Sequence, residues 1–233
     1  MRKFAISDIH GCNRTFNALL KKIGLTRDDE LYLLGDYIDR GPDSKGVLDT
    51  IFRLQNDRYF VKCLKGNHEE GILKSRTDRD QMLSWHMYWG GEQTLQSYAA
   101  ESLIDIPRKY WNFLENLPLY FEVDEYILLH AGLNFDIENP LEDKHSMLWV
   151  RDWYPTIEYG WLKNRIVIHG HTPVRKTYIE ACADQIDDVQ ALNIDNGCFY
   201  VGGRDKGQMV ALEMTERKLF FQDNLDDMTA YFG

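Results

Sequence analysis

Apolar positions in the first third of the chain alternate between short continuous runs and helical spacing. Lys3-Phe4-Ala5-Ile6-Ser7 predicts a strand, and Phe16, Leu19, Leu20 and Ile23 at i, i+3, i+4 and i+7 predict a helix from about Asn13, with Gly24 as its stop. Leu31 to Leu34 is a second apolar strand. A helix from about Asp43 follows, with Val47, Leu48, Ile51 and Phe52 on one face, and Tyr59 to Leu64 predicts a third strand. Strands separated by helices imply a mostly parallel sheet with right-handed crossovers, so the fold class is α/β.

The segment from roughly 69 to 116 reads as helical. It carries the aromatic cluster Trp85, Tyr88 and Trp89 before Gly90-Gly91. Asp105 is expected to cap a helix with Pro107 in its first turn and Tyr110, Trp111 and Leu114 on its buried face. Strands are predicted again at about 119–123, 126–129 and 165–168. The tail from about Lys176 to Gln222 reads as an antiparallel β region. Repeats, low-complexity tracts and Pro/Ser-rich linkers are lacking, so one domain over 1–233 is expected, with the 69–116 segment as a helical insert.

With 44% hydrophobic and 27% charged residues, the composition is that of a globular domain. Polar residues interrupt every apolar run before the ~20 residues that a membrane span needs. The N-terminus reads as a strand rather than a signal peptide, so a cytoplasmic location without a membrane partner is expected. Cys12, Cys63, Cys182 and Cys198 form no CxxC pair, and reduced, mostly buried thiols are expected. A net charge of -10 argues against nucleic acid as a partner, but a small anionic substrate needs only a locally reversed field.

Candidate chemistry lies where strands end. Five apolar runs lead into Asp8-Ile9-His10-Gly11, Gly35-Asp36-Tyr37-Ile38-Asp39-Arg40-Gly41, Gly66-Asn67-His68-Glu69, His130-Ala131-Gly132 and His169-Gly170-His171-Thr172. Ligands of open α/β sheets bind beyond the carboxyl ends of the strands, so these segments should meet. Carboxylate, imidazole and one amide suit first-row metals better than calcium or magnesium. Two ions ~3.5–4 Å apart need a shared ligand, which a carboxylate supplies and a neutral imidazole cannot. Taken singly, each fragment has an ordinary structural explanation, such as a core histidine, a turn-forming aspartate or a capping asparagine. Their coincidence at five strand ends carries the metal-site reading.

Ser7-Asp8-Ile9-His10-Gly11, Gly35-Asp36-Tyr37-Ile38-Asp39-Arg40-Gly41 and Gly66-Asn67-His68-Glu69 resemble the three signatures of the calcineurin-like metallophosphoesterases, in their phosphoprotein phosphatase branch. The resemblance runs from about Arg2 to Asn224. It implies a β-sandwich of mixed sheets flanked by helices, with the metal site at the C-terminal ends of strands. By position it implies that Asp8 and His10 hold one metal, that Asp36 bridges, and that Asn67, His130 and His171 complete the second. Two divalent ions are implied, manganese first, with iron or zinc as alternatives, and a water between them as the attacking group. His68 would be the general acid, Asp39 its partner, and Arg40 a phosphate clamp. Arg151 resembles a second clamp, with an ion pair to Asp152 as the alternative. Pro173 stands where many relatives carry a second GHxH histidine, which the phosphatase branch also lacks, and His169 is read as packing or supporting the ligands.

The resemblance leaves the substrate open. The first reading is a phosphorylated protein, peptide or small phosphate ester, cleaved by an enzyme like the small serine/threonine phosphatases. The alternative is a dinucleoside polyphosphate, cleaved as by the symmetrical diadenosine tetraphosphate hydrolases. Asp39 and Glu69 are the residues that favour the former. An inactive binding member is a minor alternative. The Trp85–Trp89 segment could wall a substrate groove or belong to the core.

Overall fold

The protein is described from a computed structural model, in which residues 1–201, 203 and 205–229 are described. Strands β1 (Lys3–Ile6), β2 (Glu30–Leu33) and β3 (Phe60–Cys63) pair in parallel through helices α1 (Asn13–Lys22) and α2 (Ser44–Asn56). The α1 helix ends as its sequence demands, with Gly24 at φ 57 in the left-handed conformation that suits glycine after a helix. Asp43 is the N-cap of α2 and accepts from the Gly46 amide.

Four helices follow: α3 (Asn67–Lys74), α4 (Arg79–Tyr88), α5 (Gly91–Ser97) and α6 (Arg108–Glu115). The expected cap on α6 is not formed. Asp105 ends a short 3-10 turn, where its carboxylate accepts from the Ser102 amide and hydroxyl, and Pro107 occupies the cap position. The closer Ser102 donors satisfy Asp105, and Pro107 already presets the entry into the helix.

A second sheet begins with the hairpin β4 (Tyr120–Val123) and β5 (Tyr126–Leu129), to which β6 (Ile166–His169) and β7 (Ala191–Asn193) add in parallel. The short helices α7 (Lys144–Trp149) and α8 (Tyr159–Leu162) lie between β5 and β6. The tail departs from expectation. Only β8 (Gln208–Glu213) and β9 (Lys218–Asp223) form the antiparallel hairpin, while α9 (Lys176–Asp184) and α10 (Ile186–Val189) occupy its first part. Ile179, Cys182, Ala183 and Ile186 pack together on the core side at helical spacing, and that period outweighs the local alternation.

The sheet orders among the described residues are β3-β2-β1-β8-β9 and β4-β5-β6-β7. The sheets face one another across a core of Ala5, Tyr32, Leu34, Leu64, Leu128, Ile168, Leu192 and Leu212. Alternate residues point outward. Phe4, Ile6, Leu31 and Leu33 pack under α1, α2 and α6, and Ile127, Leu129 and Val167 pack under Met147, Trp153 and Leu162. Burial on both faces explains why these strands read as unbroken apolar runs. Both sheets direct the C-terminal ends of their parallel strands to one edge. Among the described residues no helix is long and apolar enough to cross a membrane.

Candidate dinuclear metal centre

The turns after β1, β2, β3, β5 and β6 bring Asp8, His10, Asp36, Asn67, His68, His130 and His171 to that edge, all of them buried. The backbone bends sharply to do so. Asp8, His10, Asp36, Asp39, Arg40 and His171 all have positive φ, between 37° and 71°. Each residue with a side chain held there costs on the order of 1 kcal/mol. Two glycines permit the crowding. A Cβ on Gly66 would stand 2.2 Å from Asp36 Oδ1, and one on Gly170 would stand 2.0 Å from Asp8 Oδ2.

Asp36 divides its oxygens. Oδ2 lies 3.4 Å from His10 Nε2 and 3.9 Å from His68 Nε2, while Oδ1 lies 3.4 Å from His130 Nε2. Asn67 Oδ1 lies 2.9 Å from both His130 Nε2 and His171 Nδ1. Two donor groups that could each hold a cation therefore share Asp36. Ligand atoms bound at about 2.1 Å around one ion lie about 3 Å apart, and these spacings are of that size.

The imidazoles are oriented for such a task. His10 Nδ1 is 3.0 Å from the Ile38 carbonyl, and His130 Nδ1 is 3.0 Å from the Leu34 carbonyl. A carbonyl only accepts, so each Nδ1 carries the hydrogen and each Nε2 turns a lone pair toward Asp36. His171 Nε2 is buried without a hydrogen-bond partner. Burial pushes His10 and His130 toward the neutral form that metals bind. Burial, with Asp8 and Glu69 nearby, pushes the Asp36 carboxyl well up. Cations resolve such a cluster of acids by pairing with its charge. The donor set and its orientations therefore fit divalent metal ions.

Asp8 turns its carboxylate to Ser7 Oγ at 2.5 Å and to the His171 amide at 3.0 Å. His68 Nδ1 donates to Asp39 Oδ2 at 2.7 Å. Burial pushes the Asp39 carboxyl up and the His68 imidazole down, while hydrogen bonds from Thr94 and Trp85 favour the ionised Asp39. Arg40 Nη1 lies 2.9 Å from His10 Nε2, and its guanidinium stacks over Phe199 at 4.2 Å. Arg151 does not pair with Asp152. Its Nη1 donates to Thr172 Oγ1 at 3.1 Å, and its charge reaches His130 and His171. His169 hydrogen-bonds the Tyr154 hydroxyl through Nε2 at 2.8 Å and packs edge-on against Trp153.

The aromatic segment splits in two. Trp85 is fully buried, whereas Trp89 is half-buried, with its ring centroid 5.5 Å from that of His68. A cavity of about 1040 Å³ lies on another side of Trp85, toward Leu95, Ile106 and Trp111, and none of the metal-site residues lines it.

Three further residues support the site: Glu69 and Cys198 carry other readings in the sequence, and Asp195 is unmarked there. Glu69 accepts from the amides of Asp36, Tyr37 and Gly66 at 2.8, 2.8 and 2.9 Å, clamping the β2 turn to the start of α3. Cys198 Sγ reaches the Asp8 carbonyl at 3.0 Å. Asp195 is buried just beyond β7 and is pushed up by burial and by Asp8. Asn193-Ile194-Asp195-Asn196-Gly197 follows an apolar strand as the five recognised segments do. The alternating pattern of the tail conceals it.

A layered α/β sandwich with two oxygen-nitrogen donor groups sharing one carboxylate defines a metal-dependent phosphoester hydrolase. The calcineurin-like phosphoesterase family profile matches residues 1–201, and the chain belongs to that family. It is 29% identical over 224 residues to the bis(5'-nucleosyl)-tetraphosphatase PrpE [asymmetrical] of Geobacillus thermodenitrificans, covering 84% of this chain and 86% of the relative. It is 33% identical over 141 residues to the symmetrical bis(5'-nucleosyl)-tetraphosphatase of Nitrosomonas europaea, covering 59% and 48%. Its fold matches a protein serine/threonine phosphatase from Saccharomyces cerevisiae with a TM-score of 0.70 at 14% identity, covering 97% of this chain and 81% of that one.

Proposed function

We propose that the protein hydrolyses a dinucleoside polyphosphate. The observation that carries the phosphoester chemistry is the division of Asp36 between two donor groups, Oδ2 toward His10 and Oδ1 toward His130. The substrate assignment is supported by the relatives that align over most of the chain, whose names specify tetraphosphatases. It replaces the phosphoprotein as the first choice, because the likeness to the yeast phosphatase is one of fold.

Asp8 and His10 would hold one divalent ion, Asn67, His130 and His171 the other, and Asp36 both. Bound there, the ions supply an acidified water as nucleophile and offset phosphate charge. The side chains supply the rest. Arg40, pinned over Phe199, presents a guanidinium fork to a non-bridging phosphate oxygen, and Arg151 approaches from the His171 side. His68, with Nδ1 committed to Asp39, has Nε2 left to protonate the departing oxygen.

A second reading, a phosphomonoesterase acting on alkyl phosphates, is favoured by the His68–Asp39 pair. An alkoxide is a poor leaving group and needs an acid, whereas a nucleotide phosphate leaves readily. Product analysis separates the readings. Diadenosine tetraphosphate incubated with manganese-loaded protein is expected to give ATP with AMP, or two ADP, faster than a phosphoserine or phosphothreonine peptide releases phosphate. Faster peptide turnover, with diadenosine tetraphosphate left intact, would replace the first reading by the second.

A further inference from the structure

We propose that Trp85 and Thr94, from the helices α4 and α5, position the proton donor by holding Asp39 against His68. The inference rests on the reading in which His68 is the acid, whichever phosphate ester is the substrate.

Asp39 is wholly buried, and its carboxylate can only accept hydrogen bonds. Thr94 Oγ1 donates to Oδ1 at 2.6 Å. Trp85 Nε1–H lies between the two oxygens, 3.1 Å from Oδ1 and 2.9 Å from Oδ2. Oδ2 is then left facing His68 Nδ1 at 2.7 Å. Since Thr94 gives its hydrogen to Asp39, the Ser44 hydroxyl, 3.0 Å from Thr94 Oγ1, must donate to Thr94. Ser44, Thr94 and Trp85 thus form donors of one polarity that end on a single carboxylate, which in turn orients a single imidazole. In a buried apolar setting, such donors set the plane of the carboxylate and favour its ionised form.

The turn between the two helices is shaped for this contact. Gly90 has φ 90°, and a Cβ there would stand 2.2 Å from the Arg40 nitrogen. A Cβ on Gly91 would stand 2.6 Å from the Trp85 ring. The glycine pair lets α5 begin in contact with both Arg40 and the indole, and one turn later Thr94 reaches Asp39. Trp85 is core by burial, but a purely apolar role would leave the indole N–H without purpose, and this one is spent on the acid's partner.

The test compares turnover of an alkyl phosphate, phosphoserine, with that of an activated aryl ester, 4-nitrophenyl phosphate, in manganese-loaded protein. His68→Asn is expected to lower alkyl turnover at least about 100-fold and aryl turnover far less. Trp85→Phe and Thr94→Val should each lower alkyl kcat about tenfold, change aryl kcat by less than about threefold and leave bound metal unchanged, because they disturb only the acid. Neither should add to the loss in the His68→Asn background, and Thr94→Ser, which keeps the donor, should restore most of the alkyl rate. Equal losses on both esters from Trp85→Phe and Thr94→Val, or full additivity with His68→Asn, would overturn the positioning role. Should Trp85→Phe not fold, Thr94→Val against Thr94→Ser decides the question alone. Equal losses from His68→Asn itself would instead remove the acid, and the positioning role with it.

Discussion

The backbone N–H of His171 donates to the Asp8 carboxylate at 3.0 Å, although 163 residues separate them. Asp8 follows β1 of one sheet and His171 follows β6 of the other. The bond therefore crosses the seam of the sandwich at the point where the carboxylates of Asp8, Asp36 and Asp195 crowd together. Divalent ions bound at this seam would tie the two sheets to each other, so metal content and folding stability should move together.

Stripping metal with a chelator is expected to abolish hydrolysis and to lower the melting temperature. Ligand present at about a thousandfold over its dissociation constant contributes roughly 4 kcal/mol, or about 10 °C for a chain of this size. Calorimetry of stripped and manganese-reloaded protein would measure it. An unchanged melting temperature would argue against ions at the seam.

Asp36→Asn removes the carboxylate that both donor groups share. Bound metal should fall from about two ions per chain to one or fewer, and kcat should fall at least about a thousandfold, since both activation of water and neutralisation of charge are lost. Elemental analysis beside initial rates checks the two together.

Arg40 is stacked on Phe199, with Nη1 2.9 Å from Nε2 of His10. Arg40→Ala should cost about 1.5–3 kcal/mol of transition-state binding, a drop in kcat/KM of roughly 10- to 100-fold. Arg40→Lys should recover little of it, because an ammonium neither stacks nor forks. A lysine variant with full kcat/KM would show that charge alone suffices at this position.

Far from the metal edge, burial tends to raise the Asp29 carboxyl, but the Arg2 and Thr26 hydrogen bonds outweigh it and hold it down to about 2. A carboxyl lowered by folding stabilises the native state above its unfolded value near 3.8, and this contribution is lost as pH falls toward 2. Arg2 is 44% exposed, so solvent screening reduces the effect to about 1 kcal/mol. Asp29→Asn should be less stable than the parent by that amount at neutral pH, with the gap closing between pH 4 and pH 2 in urea titrations.

The layered fold was legible in the sequence, and so were most of the residues that the structure gathers at the candidate site. Runs such as Leu31–Leu34 and Tyr126–Leu129, short and bounded by polar turns, read as strands buried on both faces, and each leads into the turn that marks the ligand edge. Residues that act at a distance were not legible. Trp85 and Thr94 lie 46 and 55 residues from Asp39, and although Trp85 stands out in an aromatic cluster, no local spacing ties either residue to that carboxylate. Asp195 is marked only by the helical period of Ile179, Cys182 and Ile186, which places an apolar strand before it and competes with the alternation of the tail. Asp105 failed as a cap because Ser102 offers it nearer donors, a competition that composition does not display.

The left-handed turns at Asp8, His10, Asp36, Asp39, Arg40 and His171 have a further consequence. Glycine or asparagine would relieve the backbone at each of these positions by on the order of 1 kcal/mol, less than the roughly 4 kcal/mol that bound ions would contribute. A screen for heat resistance would therefore keep the ligand turns only while metal is supplied, and breeding a hardier version of this protein requires metal in the medium at every round.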